Sequence, residues 1–121
     1  MTLRTARLLT ATVPMVSVTL GAPEIAQEVE VLMDSGASYS ILSSTVVRNI
    51  LGDQWRDSLV TTGFLPRFEL ADGSSSCSIG TVQLPIKFRA RDQPVSHSFF
   101  VLFSRKPMAI LGVNFFMRTG A

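Results

Sequence analysis

Extended runs dominate this chain, and their side chains alternate in polarity. Val16-Ser17-Val18-Thr19-Leu20 changes character at every step, and Val29, Val31 and Met33 alternate against Glu28, Glu30 and Leu32. Successive side chains of a strand point to opposite faces, so such a run covers a core with one face only. Residues 79–88 and 95–103 are the longest extended stretches, and residues 63–70 form a shorter one. Gly21-Ala22-Pro23 reads as a turn, and Asp72-Gly73 is the strongest hairpin-tip signal in the chain. Pro85 lacks an amide proton, which places it at an edge or a bulge. Helical signals are few. Ser43-Ser44 caps a helix over residues 45–51 that Gly52 ends, and residues 114–118 read as a short helix after Leu111-Gly112. The expected class is all-β, a closed or sandwiched barrel with one or two short helices.

Length and charge narrow what such a barrel can do. The 121 residues suit one domain, 1–121, with 1–14 as an N-terminal arm or weak strand. Hydrophobic residues make up 46% and charged residues 17%, the balance of a chain that folds around a core. The formal charge of +2 comes from basic residues scattered between Arg4 and Arg118, with no patch to attract nucleic acid. Cys77 is the only cysteine, so no intrachain disulfide can form and a reducing compartment is permitted. With His97 as the only histidine, the four ligands of a structural zinc site are not available, and no metal or cofactor is expected. Cys77 follows Ser74-Ser75-Ser76 and His97 lies in an alternating run; both read as structural or incidental. Arg4, Arg7 and the apolar run from Leu8 toward Gly21-Ala22 look like a secretory leader. Pro14 interrupts that run, and cleavage would remove the strand at 16–20, so the leader reading is set aside. No stretch is long enough to span a membrane.

The segment with most chemistry is Val31-Leu32-Met33-Asp34-Ser35-Gly36-Ala37-Ser38. An apolar strand draws Asp34 toward the interior, where an ionised carboxylate is costly. Ser35 offers a hydroxyl to anchor a tight turn, and Gly36 allows close approach of another backbone. The plain alternative is a β-turn, since Asp, Ser and Gly all favour turns. A given tetrapeptide of average residues turns up in a chain this long with a probability on the order of one in a few hundred. Alone, the motif does not decide.

A second segment adds weight. Met108-Ala109-Ile110-Leu111-Gly112-Val113-Asn114-Phe115-Phe116 is an apolar strand, a glycine and a helix start. With Asp34-Ser35-Gly36-Ala37 and a central Ala71-Asp72-Gly73 hairpin, it resembles the retropepsin family of aspartic proteases. Those are the proteases of retroviruses and LTR retrotransposons, with cellular relatives such as the skin retroviral-like protease and the Ddi-type proteins. The resemblance runs from about residue 16 to the C-terminus. It implies that Asp34 is the catalytic carboxylate, that Ser35 braces the two active-site loops, and that Gly36 contacts substrate backbone beside Ala37. Residues 68–79 would form a flap, with Leu70, Ala71, Asp72, Gly73 and Ser74 around its tip. Ile110, Leu111 and Gly112 would pack beneath the active-site loop. Many retroviral members carry an Asp–Arg ion pair where this chain has Ser38 and Val113. Both partners are replaced together, so neither leaves an unpaired charge.

That chemistry needs two carboxylates sharing a proton, and this chain has one Asp-Ser-Gly. The resemblance therefore implies a two-fold homodimer, an extended peptide or polyprotein substrate, and flaps that close over it. It places the protein in a reducing intracellular compartment or a virus-like particle. Phe115 and Phe116 are expected in core and dimer packing, and Trp55 as half-buried cover. The sequence ends at Arg118-Thr119-Gly120-Ala121, without the closing strand of retroviral relatives, so a weak dimer is expected. Two other readings stay open: a retropepsin-like binding or scaffolding module without catalysis, and a monomeric ligand-binding barrel with Asp34 in an ordinary turn.

Overall fold

The computed structural model describes residues 15–34, 36–69, 73–89 and 91–115. The N-terminal arm at 1–14 lies outside them. β1 (Met15–Leu20) and β2 (Gln27–Met33) pair antiparallel from Met15↔Leu32 to Leu20↔Gln27. Their alternation sorts as expected: Val18, Leu20 and Val31 are buried, while Ser17, Glu28 and Glu30 face solvent. β3 (Ile41–Ser43), β4 (Arg67–Glu69), β5 (Ser75–Lys87), β6 (Val95–Leu102) and β7 (Ala109–Leu111) follow. The strands lie in the order β1-β2-β7-β3-β6-β5, and β1 returns to β5 through Thr19↔Lys87 and Leu20↔Ile86. The result is a closed six-stranded barrel. Closure leaves no free edge within the ring. β4 stands outside it, paired with the first residues of β5.

The barrel is filled from alternate positions of its strands, with Val82, Leu84 and Ile86 of β5 meeting Phe99 and Val101 of β6. Burying each such side chain is worth about 1.5–3 kcal/mol against leaving it in water. α1 (Ser44–Leu51) adds Val46, Val47 and Ile50 to the same core. The Ser43 hydroxyl caps it by accepting from the Val46 amide, and the Gly52 amide closes it on Arg48 O at 2.7 Å.

Several sequence-based expectations need correction. Of residues 63–70 only Arg67–Glu69 is a strand, and Leu70 lies outside the described residues. Pro66 has no proton for a ladder; its carbonyl instead accepts from the Ser78 amide at 3.0 Å and the Ser78 hydroxyl at 2.7 Å. β5 begins at Ser75 rather than at 79, so the serine-rich stretch is part of the longest strand. Pro85 sits at no bulge: the irregularity lies between Ser78 and Gly80, and Pro85 pairs with Ser96 inside the ladder. Its carbonyl accepts from Gly21, so its missing donor faces the side where β1 ends. Trp55 is 6% exposed, joining the core from a 3-10 turn (Trp55–Ser58) with the Arg56 guanidinium over its ring. Phe115 is buried between Phe88 and His97, which removes it from any dimer interface. The helix expected at 114–118 begins at 113; Phe116 and the residues after it are not among those described.

Candidate active site

Asp34 is placed by a crossing of two strands. β2 runs parallel to β7, with Leu32↔Ile110 and Met33↔Leu111, and the next amide along, Asp34 N–H, donates to Leu111 O at 2.9 Å. The strand then breaks into a tight loop. Ala37 N–H donates to Asp34 O at 3.1 Å, and Gly36 N–H donates to the carboxylate, Oδ1, at 2.9 Å. A carboxylate on a backbone amide makes a strong, charge-assisted hydrogen bond, which fixes the direction of the group. Asp34 is 3% exposed, and no other acid among the described residues is buried. Gly36 beside it is exposed. Ser35 and the flap residues Leu70, Ala71 and Asp72 lie outside the described residues.

The supporting segment grips this loop through its backbone. Ala37 O accepts from Val113 N at 2.7 Å, and Ser38 O from Asn114 N at 3.3 Å. Gly112 sits where only glycine fits: a Cβ there would meet Tyr39 O at 2.4 Å and Ala37 O at 2.7 Å. Ile110 and Leu111 are buried, Leu111 in the barrel core and Ile110 in a second apolar cluster with Ala37, Ile41, Phe68 and Leu102. The structure therefore brings Asp34, Gly36, Ala37, Ile110, Leu111 and Gly112 into one contact set. Val113 and Ser38 thus take part in neighbouring rungs of one backbone ladder, Val113 through Ala37 and Ser38 through Asn114.

The hairpin expected to form the flap is built separately. β4 and the start of β5 pair from Arg67↔Cys77 to Glu69↔Ser75, leaving residues 70–74 as the connecting tip. Gly73 has φ +88°, a conformation that other residues resist, and it and Ser74 are exposed. Arg67 Nη1 donates to Ser75 Oγ at 2.8 Å across the pair. Phe68 points inward to the second cluster, edge-on to Tyr39 at 6.3 Å. The hairpin is thus anchored by one aromatic side chain near the active-site loop.

Sequence reasoning gave no role to Ser40 or Asn114 and read His97 as structural or incidental. Ser40 and His97 are buried, and the Ser40 hydroxyl joins His97 Nε2, Asn114 Oδ1 and the Gly112 amide. A signal was present: His97 shares its inward parity on β6 with Phe99 and Val101. Cys77 is exposed on β5. No group of acidic, histidine and cysteine side chains able to hold a metal occurs among the described residues. No helix among them is long and apolar enough to cross a membrane.

Among solved structures, the chain is similar to the EIAV protease complexed with the inhibitor HBY-793, at a TM-score of 0.60 and 20% identity. That match covers 91% of this chain and 90% of the other. It is also similar to the retroviral protease-like domain of Ddi1 from Leishmania major, at 0.57 and 16%, over 88% and 78% of the two chains. No protein-family model and no curated protein matches the sequence. The chain has the retropepsin-type fold.

Proposed function

We propose that this protein is an aspartic endopeptidase whose catalytic dyad takes Asp34 from each of two copies of the chain. The observation that carries this reading is the setting of Asp34. It is the one buried acid among the described residues, it ends an apolar strand, and Gly36 and the 111–114 segment fix its loop. Burying a carboxylate costs free energy even when it is hydrogen-bonded, a cost that a barrel has no structural need to carry. Two such loops meeting on a two-fold axis would put like carboxylates side by side, where they hold one proton between them. The ionised member takes a proton from a bridging water, and the protonated member donates to the scissile carbonyl. Ser35 would brace the two loops, and Gly36 would meet the substrate backbone. A substrate between the loops and the flaps would lie extended, bonded like an added strand. A polyprotein, cut at several extended linkers, is the substrate class we favour.

Mass spectrometry of a peptide pool tests this. Wild-type protein is expected to cut internal bonds and to be blocked by pepstatin. Cleavage that pepstatin spares and that rises with alkalinity would point to another nucleophile. A folded protein that cuts nothing would leave a binding module.

A further inference from the structure

We propose that His97 is a positioning residue: its imidazole, buried on β6, orients the Asp34 loop through the hydroxyl of Ser40. This rests on the reading of Asp34 as the catalytic carboxylate. The ring is 2% exposed and stands edge-on to Phe99 and Phe115, with centroids 5.1 and 5.0 Å away. Its Nε2 lies 2.9 Å from Ser40 Oγ. Ser40, fully buried, has one hydroxyl proton and donates it to Asn114 Oδ1 at 2.9 Å. The same oxygen accepts from the Gly112 amide at 3.1 Å. With its proton committed, the oxygen can only accept from the imidazole, so Nε2 carries the hydrogen.

This hydroxyl links three parts of the barrel. Through Gly112 it holds the residue whose predecessor, Leu111, accepts the Asp34 amide at 2.9 Å. Through Asn114 it holds the residue whose amide reaches Ser38 O. Its own carbonyl accepts from Phe100 on β6 at 3.0 Å. The path from imidazole to catalytic backbone is therefore His97 Nε2–H, Ser40 Oγ, Gly112 N–H, and then the Leu111–Asp34 hydrogen bond. An apolar side chain would pack well between two phenylalanine rings, so the space alone does not call for histidine. What the imidazole adds is a donor that fixes the rotamer of Ser40. Loss of that donor removes one of the three hydrogen bonds that hold the hydroxyl and loosens it, and small displacements of a reacting group are worth large factors in rate.

Two polar variants of the full chain separate this from a plain core role. In His97→Gln the side-chain amide falls near the Nε2 position; in His97→Asn it falls near Nδ1 and cannot reach Ser40. We expect His97→Asn to lower kcat about 10- to 100-fold with KM nearly unchanged, at protein concentrations that saturate the dimer. His97→Gln should keep kcat within about threefold of wild type. Nitrogen-15 NMR of the wild-type imidazole should show the proton on Nε2. Hydrogen exchange should be faster at the Asp34 and Gly112 amides in His97→Asn and unchanged at Val82 in the barrel wall. Equal kcat in the two folded variants, a loss carried by KM, or a bare Nε2 would overturn the proposal. If either variant fails to fold, Ser40→Ala takes its place and must reproduce the kcat loss and the faster exchange. If wild-type protein cuts no peptide, the reading of Asp34 falls. The exchange rates and the tautomer then still decide whether His97 holds the loop.

Discussion

The two sides of the candidate cleft are made in opposite ways. Beneath Asp34, backbone meets backbone: residues 34–38 are tied to 111–114 by amide–carbonyl bonds, and Gly112 lies against Tyr39 O too closely for any side chain. The hairpin of β4 and the start of β5 is different: its described residues are mostly exposed, and Phe68 is the buried one among them. The buried polar groups of the bed, those of Asp34, Ala37 and Gly112 among them, have to be satisfied internally, which makes the bed stiff and intolerant. The exposed hydrogen bonds of the hairpin can exchange with water at little cost, so it is expected to be less stable locally than the bed. The proposed peptidase would need both: a fixed carboxylate and a cover that moves.

The largest expected effect falls on the bed. Asp34→Asn keeps the shape of the side chain and removes its charge. Cleavage should fall at least about a thousandfold, with the thermal midpoint unchanged or raised. An Asn variant that still cuts at a comparable rate would end the catalytic assignment. Next comes Gly112→Ala. The added methyl meets backbone oxygens at 2.4 and 2.7 Å that cannot rotate away, so the whole loop has to shift. We expect a loss of about 3 kcal/mol or more by urea unfolding, together with loss of activity. A stability change below about 1 kcal/mol would show that the bed yields more than its contacts imply.

How much of this was legible in the sequence depends on the distance over which each feature is made. β1, β2 and β6 announce themselves because alternation is local, and α1 does because Ser43 and Gly52 bracket it. Barrel closure is invisible in that way: β1 meets β5 at only Thr19↔Lys87 and Leu20↔Ile86, and β7 must run parallel to β2. The start of β5 was missed because serines carry no apolar signal, although Ser78 turns inward and Ser75 outward. Trp55 read as half-buried cover because its neighbours Gln54 and Arg56 are polar; a 3-10 turn puts the indole inside. Asp34 stood out at the end of an apolar run. Ser40, His97 and Asn114 did not, because His97 and Asn114 reach Ser40 across 57 and 74 residues. Such a cluster exists only once the barrel has closed.

The smallest expected effect sharpens the contrast between bed and flap. Gly52 and Gly73 both have positive φ, +85° and +88°, and a Cβ at either would meet nothing within 4 Å. Valine at each therefore carries the same kind of penalty, about 1–2 kcal/mol of backbone strain with no clash. The surroundings differ. Gly52 closes α1, whose Val46, Val47 and Ile50 belong to the barrel core, so strain there is felt by the whole fold. Gly73 is exposed and lies between β4 and β5, away from the barrel core. Gly52→Val should lower global stability by about 1–2 kcal/mol and leave turnover per folded molecule alone. Gly73→Val should lower global stability by less than about 0.5 kcal/mol and slow turnover about tenfold, because the strained tip closes less often. Urea unfolding and steady-state cleavage on the same preparations decide it. Equal turnover in the two variants would move the closing contact away from Gly73, and an equal loss of stability would mean the hairpin is as firmly part of the barrel as α1.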